Sequence, residues 1–257
     1  TGATTAHLVN ALDDRFFDVE RYHSERGSRL AAESHSAAIH RIESLVSRER
    51  IACDFLRLDG YLFCAPEHDE AFLDRELDAV HRAGLYNVAK IGRAPMSFDT
   101  GPCLRFPNQA QFHPLKYLAG LADAIRRAGG RIYTATHATA IEGGAHASVG
   151  TPGGTVRAGS IVVATNVPVN DRVVVHTKQA PYMTYVIGAR VPRGAVTTAL
   201  YWDTGDPYHY IRLVPAIDAG HDLLIVGGED HKSGQADDIE ERHPRLERWT
   251  RERFPMM

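Results

Sequence analysis

The sequence is short of the features that mark several protein classes. Its 257 residues include three cysteines, Cys53, Cys64 and Cys103, and no CxxC pair. Scattered thiols of this kind form neither a disulfide framework nor a zinc site, so we predict no metal site and a cytoplasmic location. No apolar stretch approaches the roughly 20 residues that span a bilayer. The sequence also shows no signal peptide, and we expect no membrane span.

Charge of one sign is also lacking. The 29 basic and 32 acidic residues are interspersed and leave a net charge of -3. Without a basic run, nucleic acid is not an expected partner. The hydrophobic fraction of 44% is enough for a sizeable core, and the length suggests one or two domains.

Complete catalytic signatures are absent as well. We find no GxGxxG, Walker A, HExxH or GxSxG motif. Function therefore has to be inferred from the order of the elements and from short segments within them.

The first half of the chain alternates helices with short strands. Hydrophobic spacing predicts helices over 30–50 and 68–83, and a helix that begins at Pro114 and stops before Gly129. Between the first two helices, "FLRLDGYLF" is typical of a strand with a turn or bulge at its Asp-Gly pair. Residues 87–112 are predicted to be loop and short strands. The segment "RIYTAT" is predicted to be a strand, which favours an α/β unit.

The second half changes character. A hairpin or meander leads into "SIVVAT" (160–165), which we predict to be a strand buried on both faces. Open α/β sheets bind ligands at the carboxyl ends of such strands. From residue 180 several alternating segments predict an antiparallel sheet, followed by a last helix over about 238–253.

Six segments together carry a family resemblance: "TTAHL", "RLDGYLF", "VVATNVPVND", "HTKQAPY", "YWDTGDPYHYIRL" and "LLIVGGEDHKSGQ". The chain resembles FAD-dependent oxidoreductases of the D-amino-acid oxidase / glycine oxidase / sarcosine oxidase superfamily (the DAO family). More narrowly, it resembles the branch that is often fused to a C-terminal Rieske [2Fe-2S] domain. The resemblance implies an α/β (α+β) fold, with a Rossmann-like FAD/NAD(P)-binding domain lacking its N-terminal βαβ unit and an antiparallel-sheet substrate domain.

The resemblance also implies a domain organisation. We expect residues 1–55 and 105–175 to form a partial FAD-binding domain and residues 56–104 and 176–237 the substrate domain, with 238–257 as a truncated helix returning toward the FAD domain. Because no GxGxxG turn is present, we expect the chain to be an internal fragment that binds FAD weakly or not at all.

Cofactor-binding residues follow from the resemblance residue by residue. The small and hydroxylated opening matches the segment along the pyrophosphate and the flavin ring, although Ala3 stands where this branch is expected to have Arg. Without the resemblance, this opening is typical of an N-cap and a first helical turn. The expected FAD contacts are Thr4, Thr5, Ala6, His7, Ala138, Ala164, Thr165 and Asn166.

On the substrate side, strands with many tyrosines are expected to face the flavin. Alternation places Tyr208, Tyr210 and Arg212 on one face of their strand, and an Arg among tyrosines suits a carboxylate. The expected substrate residues are His113, Tyr182, Tyr201, Tyr208, Tyr210 and Arg212. Lys178 and Arg212 are the candidate catalytic residues, and His113 alternatively caps its helix.

The resemblance implies a reaction in which an amine or amino acid loses hydride, from the C–H beside its nitrogen, to flavin N5. FAD is the expected cofactor, and a [2Fe-2S] cluster is expected only in a missing C-terminal Rieske domain of the full-length protein. Two alternatives stay open at this point. One is a non-catalytic flavoprotein-like binding or assembly module, and the other is a nicotinamide-dependent dehydrogenase.

Overall fold

The computed structural model describes residues 4–165, 180–235 and 237–257. The chain divides into two compact units. The larger unit contains residues 1–121 and 183–257, and the smaller unit contains residues 122–182. The domain boundaries that the resemblance implies stay a prediction.

Helices and strands alternate through the larger unit, and short strands make up most of the regular structure in the smaller one. Within the described ranges, the helices are α1 (Phe16–Glu49), α2 (Glu70–Arg82), α3 (Pro114–Arg127) and α4 (Ile239–Arg253). The strands are β1 (His7–Leu8), β2 (Leu56–Phe63), β3 (Ala89–Ile91), β4 (Cys103–Gln111), β5 (Ala140–Glu142), β6 (Ser148–Thr151), β7 (Gly154–Arg157), β8 (Tyr182–Pro192), β9 (Leu200–Asp203), β10 (Tyr210–Val214) and β11 (His221–Lys232).

The main sheet has eight strands in the order β1-β4-β2-β9-β10-β11-β8, with β3 on the side of β4. β2 and β9 are parallel, whereas β4–β2, β9–β10 and β10–β11 are antiparallel. The bulge predicted in β2 is confirmed by a register shift between Leu58 and Gly60. A Cβ on Gly60 would lie 2.5 Å from Cη2 of Trp202, so only glycine fits beneath that ring.

Alternation along the central strands separates two hydrophobic cores. Ile211 and Leu213 pack on one face of β10 together with Leu246 of α4. Tyr210 packs on the other face, with Trp202. The pairing of Tyr210 with Trp202 fixes this arrangement, because directly paired residues share a face. Arg212 has the same parity as Tyr210, so the predicted face of β10 is confirmed.

Helix α2 forms where the spacing predicts it. Asp69 precedes its first residue, and its side chain accepts a hydrogen bond from the Phe72 amide at 3.3 Å. Leu73 and Val80 lie on one face of the helix and are fully buried. α3 and α4 also agree with their predicted positions. The cap and the apolar stripe of α2 are both local signals that the sequence contains.

Two elements of the larger unit are longer in the structure than the sequence predicts. The helix predicted over 30–50 already begins at Phe16, and its periodicity is interrupted at Ser24, where φ is 67°. The region predicted as loop and short strands contains the nine-residue strand β4. The strand could not be predicted from the sequence because Pro107 is disfavoured in a strand interior. Asn108 next to it has a φ of 61°, which interrupts the extended backbone.

The smaller unit confirms one prediction and corrects two. Strands β5, β6 and β7 form the expected antiparallel meander. In contrast, residues 131–136 and 160–165 form no strand, and Val162 is 87% exposed. The prediction of a buried strand over 160–165 is wrong for this structure. A parallel strand is buried only between neighbouring strands and covering helices, and neither segment has a partner strand within the described ranges.

Candidate active site

The amino-terminal segment of the larger unit is attached to the edge of the main sheet. His7 and Leu8 of β1 pair with Gln111 and Ala110 at the end of β4. Just before β1, Ala6 is buried with a φ of 60°, and its amide donates to Oγ1 of Thr4 at 3.2 Å. A left-handed conformation at a non-glycine residue costs free energy, so the surrounding contacts hold this turn in place.

His7 lies beside the centre of the sheet. Its Nε2 is 3.3 Å from the carbonyl oxygen of Ile211, and its ring meets Tyr210 edge-on with 5.7 Å between centroids. Burial, reinforced by the charge of Arg212, lowers the pKa of His7 to about 4. The ring is therefore neutral near pH 7. Since a carbonyl can only accept, Nε2 carries the hydrogen, and the buried Nδ1 is an acceptor without a partner among the described residues.

A cavity of about 350 Å³, which we name the first cavity, lies against the Tyr210 face of the sheet. The described part of its wall combines small, aromatic and acidic side chains and contains no Lys or Arg. The lining residues are Thr4, Thr5, His7, Val9, Ala11, Leu12, Asp13, Thr184, Trp202, Tyr208, Tyr210 and Asp230. The ring centroids of Tyr208 and Tyr210 are 5.7 Å apart. Tyr210 also shares a 2.8 Å hydrogen bond with the hydroxyl of Thr184.

Desolvation in the first cavity shifts the pKa values of its described titratable groups. It raises the pKa values of Asp13 and Asp230 above their ordinary range, and the charge of Asp13 adds to the shift at Asp230. Burial also raises the pKa values of Tyr208 and Tyr210, so both hydroxyls are protonated at neutral pH. Oδ1 of Asp230 is buried and has no partner in the described part of the chain.

A larger cavity of about 630 Å³, the second cavity, contains Arg212 in its wall. Arg212 is 7% exposed, and its Nη1 donates to the Phe112 carbonyl at 3.3 Å. Its Nε has no partner, and no carboxylate forms an ion pair with it among the described residues. Burial lowers the pKa of its guanidinium, which nevertheless stays charged. Gln111 donates to the Leu213 carbonyl at 3.0 Å, while its Oε1 is unpartnered.

The rest of the second cavity is mostly aliphatic, with polar groups that already have partners. Lys116 forms an ion pair with Asp54 at 2.7 Å. His113 accepts a hydrogen bond from the Lys116 amide at 3.4 Å, so it caps α3 as the alternative interpretation predicted. The lining residues are Asp54, Leu56, Gln111, Phe112, His113, Pro114, Lys116, Arg212, Val214, Pro215, Ala216, Ile217, Leu223 and Ile225.

The structure thus brings together several predicted residues of the larger unit. Thr4, Thr5, His7, Tyr208 and Tyr210 line the first cavity, and His113 and Arg212 line the second.

The structure corrects the expected position of Tyr201 beside the other substrate residues. It pairs with Ile211, so it faces the opposite core, where its ring stacks on Tyr61. Its hydroxyl donates toward the carbonyls of Pro95 and Thr197. Trp202, one residue later, takes the place in the cavity wall that was expected for Tyr201. Tyr182, the first residue of β8, is 60% exposed.

The predicted cofactor residues in the second half of the chain are exposed or outside the described ranges. Ala138, Ala164 and Thr165 belong to the smaller unit and are exposed. Asn166 and Lys178 lie outside the described residues.

Sequence reasoning missed Asp13, Gln111, Trp202 and Asp230. Asp230 follows Glu229, whose φ of 59° breaks the alternation of β11, so periodicity could not assign its face. Asp13 lies in the loop before α1, where no periodic signal exists. For Trp202, the register of β9 against β10 was the missing information.

Among the described residues, no group of three or more His, Cys, Asp or Glu side chains could hold a metal ion. Burial raises the pKa of Cys64 to about 11 and that of Cys103 to about 12, which leaves both as inert thiols near neutral pH. In the same ranges, no helix has the length and apolar character needed to cross a membrane.

Comparisons with known proteins point in one direction. The family model for FAD dependent oxidoreductases (DAO) matches residues 1–257. YhfW of Bacillus subtilis, which carries the name of a Rieske 2Fe-2S iron-sulfur protein, is 29% identical over 238 residues, covering 90% of this chain and 46% of YhfW. Gamma-glutamylputrescine oxidoreductase of Escherichia coli is 27% identical over 178 residues, covering 67% of this chain and 42% of that protein. The chain thus spans less than half the length of these two relatives.

Solved structures show the same fold at low sequence identity. Glycine oxidase from Geobacillus kaustophilus has a TM-score of 0.66 and 18% identity, with 96% of this chain and 69% of that chain covered. The amino acid oxidase NikD has a TM-score of 0.65 and 17% identity, with 99% of this chain and 68% of that chain covered. The predicted mixed α/β fold class is therefore confirmed.

Proposed function

Because this chain belongs to the family of FAD-dependent oxidoreductases, we propose that the protein oxidises an amine or amino acid at the C–H bond beside its nitrogen. The family match confirms the resemblance inferred from the sequence. FAD, when bound, supplies the redox chemistry by accepting the hydride at N5. The names of similar proteins support this substrate class, since they include a glutamylputrescine oxidoreductase and a glycine oxidase.

The amino-terminal turn of the larger unit fits a place beside the cofactor. Thr4 and Thr5 line the first cavity, and the buried Nδ1 of His7 needs a hydrogen-bond donor that no described residue supplies. A flavin or its ribityl chain offers such donors. We propose that Thr4, Thr5, Ala6 and His7 hold FAD, while Ala138, Ala164, Thr165 and Asn166 stay predictions.

One observation carries the substrate assignment: the guanidinium of Arg212 is buried in a cavity wall without a counter-ion among the described residues. An unpaired buried charge is costly, and a bound carboxylate would relieve that cost through a bidentate ion pair. The aliphatic surroundings of the second cavity would strengthen this pair by excluding water. We therefore assign the carboxylate of an amino acid to Arg212.

His7, Tyr208 and Tyr210 orient the substrate without adding a charge of their own. The neutral ring of His7 is held by Ile211 and Tyr210. The protonated hydroxyls of Tyr208 and Tyr210 can donate hydrogen bonds, and their rings exclude water from the reacting region. Little acid–base machinery is needed if the reacting amine binds in its neutral form. Lys178 stays a candidate catalytic residue.

The proposal includes an electron acceptor for the full-length protein. The name of YhfW supports a Rieske domain with a [2Fe-2S] cluster as that acceptor. Cytoplasmic location stays an expectation.

The test uses the purified full-length protein loaded with FAD. We expect anaerobic addition of an amine or amino acid from a panel (glycine, L-proline, L-lysine and butylamine) to bleach the flavin absorbance. Arg212→Met should raise the KM for amino acids about 100-fold, as expected for a lost charge-assisted pair. Arg212→Lys should restore part of the loss. Arg190→Met, at an exposed position on β8, is the matched control.

A protein that binds FAD but is bleached by no amine would contradict the proposal and favour the non-catalytic module. Unchanged KM values in Arg212→Met would contradict the assignment of the carboxylate alone.

A further inference from the structure

The first cavity differs in charge from what a carboxylate-binding site requires. Among the lining residues that the structure describes, Asp13 and Asp230 are acidic and none is Lys or Arg. His7 is neutral at pH 7 because its pKa is lowered to about 4. The described wall therefore presents negative charge to a ligand group and no positive side chain.

Arg15, a described cation whose charge acts on Asp13, uses its guanidinium in other contacts. Arg15 lowers the pKa of Asp13 through its charge, but forms no ion pair with it among the described residues. Its guanidinium donates to the carbonyls of Leu12 at 3.5 Å and Asp203 at 3.4 Å. Asp230 also forms no ion pair with any described residue, and its buried Oδ1 has no hydrogen-bond partner among them. Two carboxylates thus remain available to a cation.

Aromatic rings complete this environment. Tyr208, Tyr210 and Trp202 line the same cavity, and cations bind favourably over aromatic faces. Tyr210 cannot move away easily, because its ring lies directly over Gly227, where a Cβ would come within 2.1 Å of Cζ. The hydroxyl oxygens of Thr184 and Tyr210 lie 2.8 Å apart and share a hydrogen bond. These contacts fix the Tyr210 ring beside the carboxylates.

We propose that the part of the first cavity lined by Asp230, Asp13, Tyr208 and Tyr210, beside the turn assigned to FAD, binds a positively charged alkylammonium group of the substrate. This inference rests on the proposed function, since it names the substrate class as an amine that carries a cation in addition to its reacting nitrogen. Asp230 is the inner, partly buried carboxylate, and Asp13 is the more exposed one.

The experiment measures binding rather than turnover, on the full-length protein loaded with FAD that is kept reduced under anaerobic conditions, so that no amine can be oxidised. Isothermal titration calorimetry at pH 7.5 compares butylammonium with its neutral analogue butan-1-ol and with butanoate. We expect butylammonium to bind, and Asp230→Asn to weaken it about tenfold, as for a lost hydrogen bond to a charged group. Asp13→Asn should weaken it about threefold, because an exposed carboxylate is screened by solvent.

Asp14→Asn is the matched control, because Asp14 neighbours Asp13 without lining the cavity. It should change the Kd of butylammonium less than about twofold. Thermal unfolding of each variant reports folding, and Asp13→Asn tests the idea independently if Asp230→Asn does not fold. Equal affinity for butan-1-ol, or butylammonium binding that neither substitution weakens, would overturn the inference.

The outcome is separable from that of the proposed function. If butylammonium binds as expected but no amine bleaches the flavin, the oxidoreductase proposal fails while the cation site stands. If amines bleach the flavin but both Asp variants bind butylammonium normally, the cation site alone is refuted.

Discussion

The two cavities of the larger unit lie on the same face of one sheet and have opposite character. Tyr210 and Arg212 are two residues apart on β10, yet Tyr210 lines the first cavity and Arg212 the second. The first cavity has carboxylates and aromatic rings, and the second has a guanidinium without a counter-ion among the described residues, in mostly aliphatic walls. Alternation therefore decides which face a side chain occupies, while neighbouring strands decide the chemistry that surrounds it.

Neighbouring elements supply that chemistry in different ways. Around Tyr210, the acidic groups come from the loop before α1 and from β11, at Asp13 and Asp230. Around Arg212, β4 contributes Gln111 and the segment before α3 contributes Phe112. Because β1 pairs with the end of β4, His7 lies close to both regions and its pKa responds to Arg212.

The largest expected effect on the difference between the two cavities comes from displacing the Tyr210 ring. In Gly227→Ala, the new Cβ would overlap the Tyr210 ring, at 2.1 Å from Cζ, and push it into the first cavity. Overpacking at this buried ring should lower the free energy of unfolding by about 3 kcal/mol. Urea unfolding measures this loss. Butylammonium binding should weaken while butanoate binding at Arg212 persists.

Gly188→Ala on β8 is the matched control. Its Cβ would meet Leu223 Cδ1 at 3.6 Å, an ordinary contact, so the unfolding midpoint should hardly move. A Gly227→Ala protein as stable as this control would show that Tyr210 is not fixed as described.

The second prediction tests the charge of the second cavity. Arg212→Met should weaken butanoate binding about 100-fold, because the charged partner of the carboxylate is lost. The same variant should leave butylammonium binding in the first cavity nearly unchanged. Calorimetry with both probes measures the two effects, and Arg190→Met serves as the exposed control. Equal loss of both probes would mean that the two cavities form one site.

The third prediction concerns His7, which connects the two regions. Its pKa is about 4 in the folded protein and 6.5 in an unfolded chain. Between these values only the unfolded state takes up a proton, so stability is full above pH 6.5 and falls as the pH decreases. The free energy of unfolding should drop by about 2 kcal/mol between pH 6.5 and about pH 5.

Urea unfolding of the wild type and of His7→Gln at several pH values measures this drop. The drop should be smaller in His7→Gln and unchanged in His35→Gln, which alters an exposed histidine. It should also shrink in Arg212→Met, because the charge of Arg212 helps to lower the pKa of His7. Identical pH profiles for wild type and His7→Gln would contradict the assigned burial.

Much of this arrangement could be predicted because its signals are local. The Asp69 cap and the stripe of Leu73 and Val80 are sufficient for α2, and the Asp-Gly pair indicates the bulge in β2. Alternation assigned Tyr210 and Arg212 to one face. The family motifs added the cofactor and reaction class, which periodicity alone does not contain.

The remainder depends on contacts between distant segments. The face of Tyr201 is decided by the register of β9 against β10, which no residue of β9 encodes by itself. The side chain of Asp230 reaches the first cavity only because Glu229 interrupts the alternation of β11. Residues 160–165 have the composition of a buried strand, but composition cannot supply the neighbouring strands that such burial requires.

The smallest expected effect concerns the hydrogen bonds at the edge of the first cavity. Thr184→Val removes the hydroxyl that lies 2.8 Å from the Tyr210 hydroxyl, at nearly constant side-chain volume. The free energy of unfolding should fall by about 0.5 to 1 kcal/mol, as for one neutral hydrogen bond.

The pKa of Asp230 should rise further in Thr184→Val, because the hydrogen bond of Asp230 with Thr184 lowers that pKa. Fewer molecules would then carry the charged carboxylate at mildly acidic pH, and butylammonium should bind more weakly there than at pH 7.5. Thr197→Val, at an exposed position, provides the control. Equal butylammonium affinities for Thr184→Val and Thr197→Val at both pH values would show that Asp230 does not hold the cation.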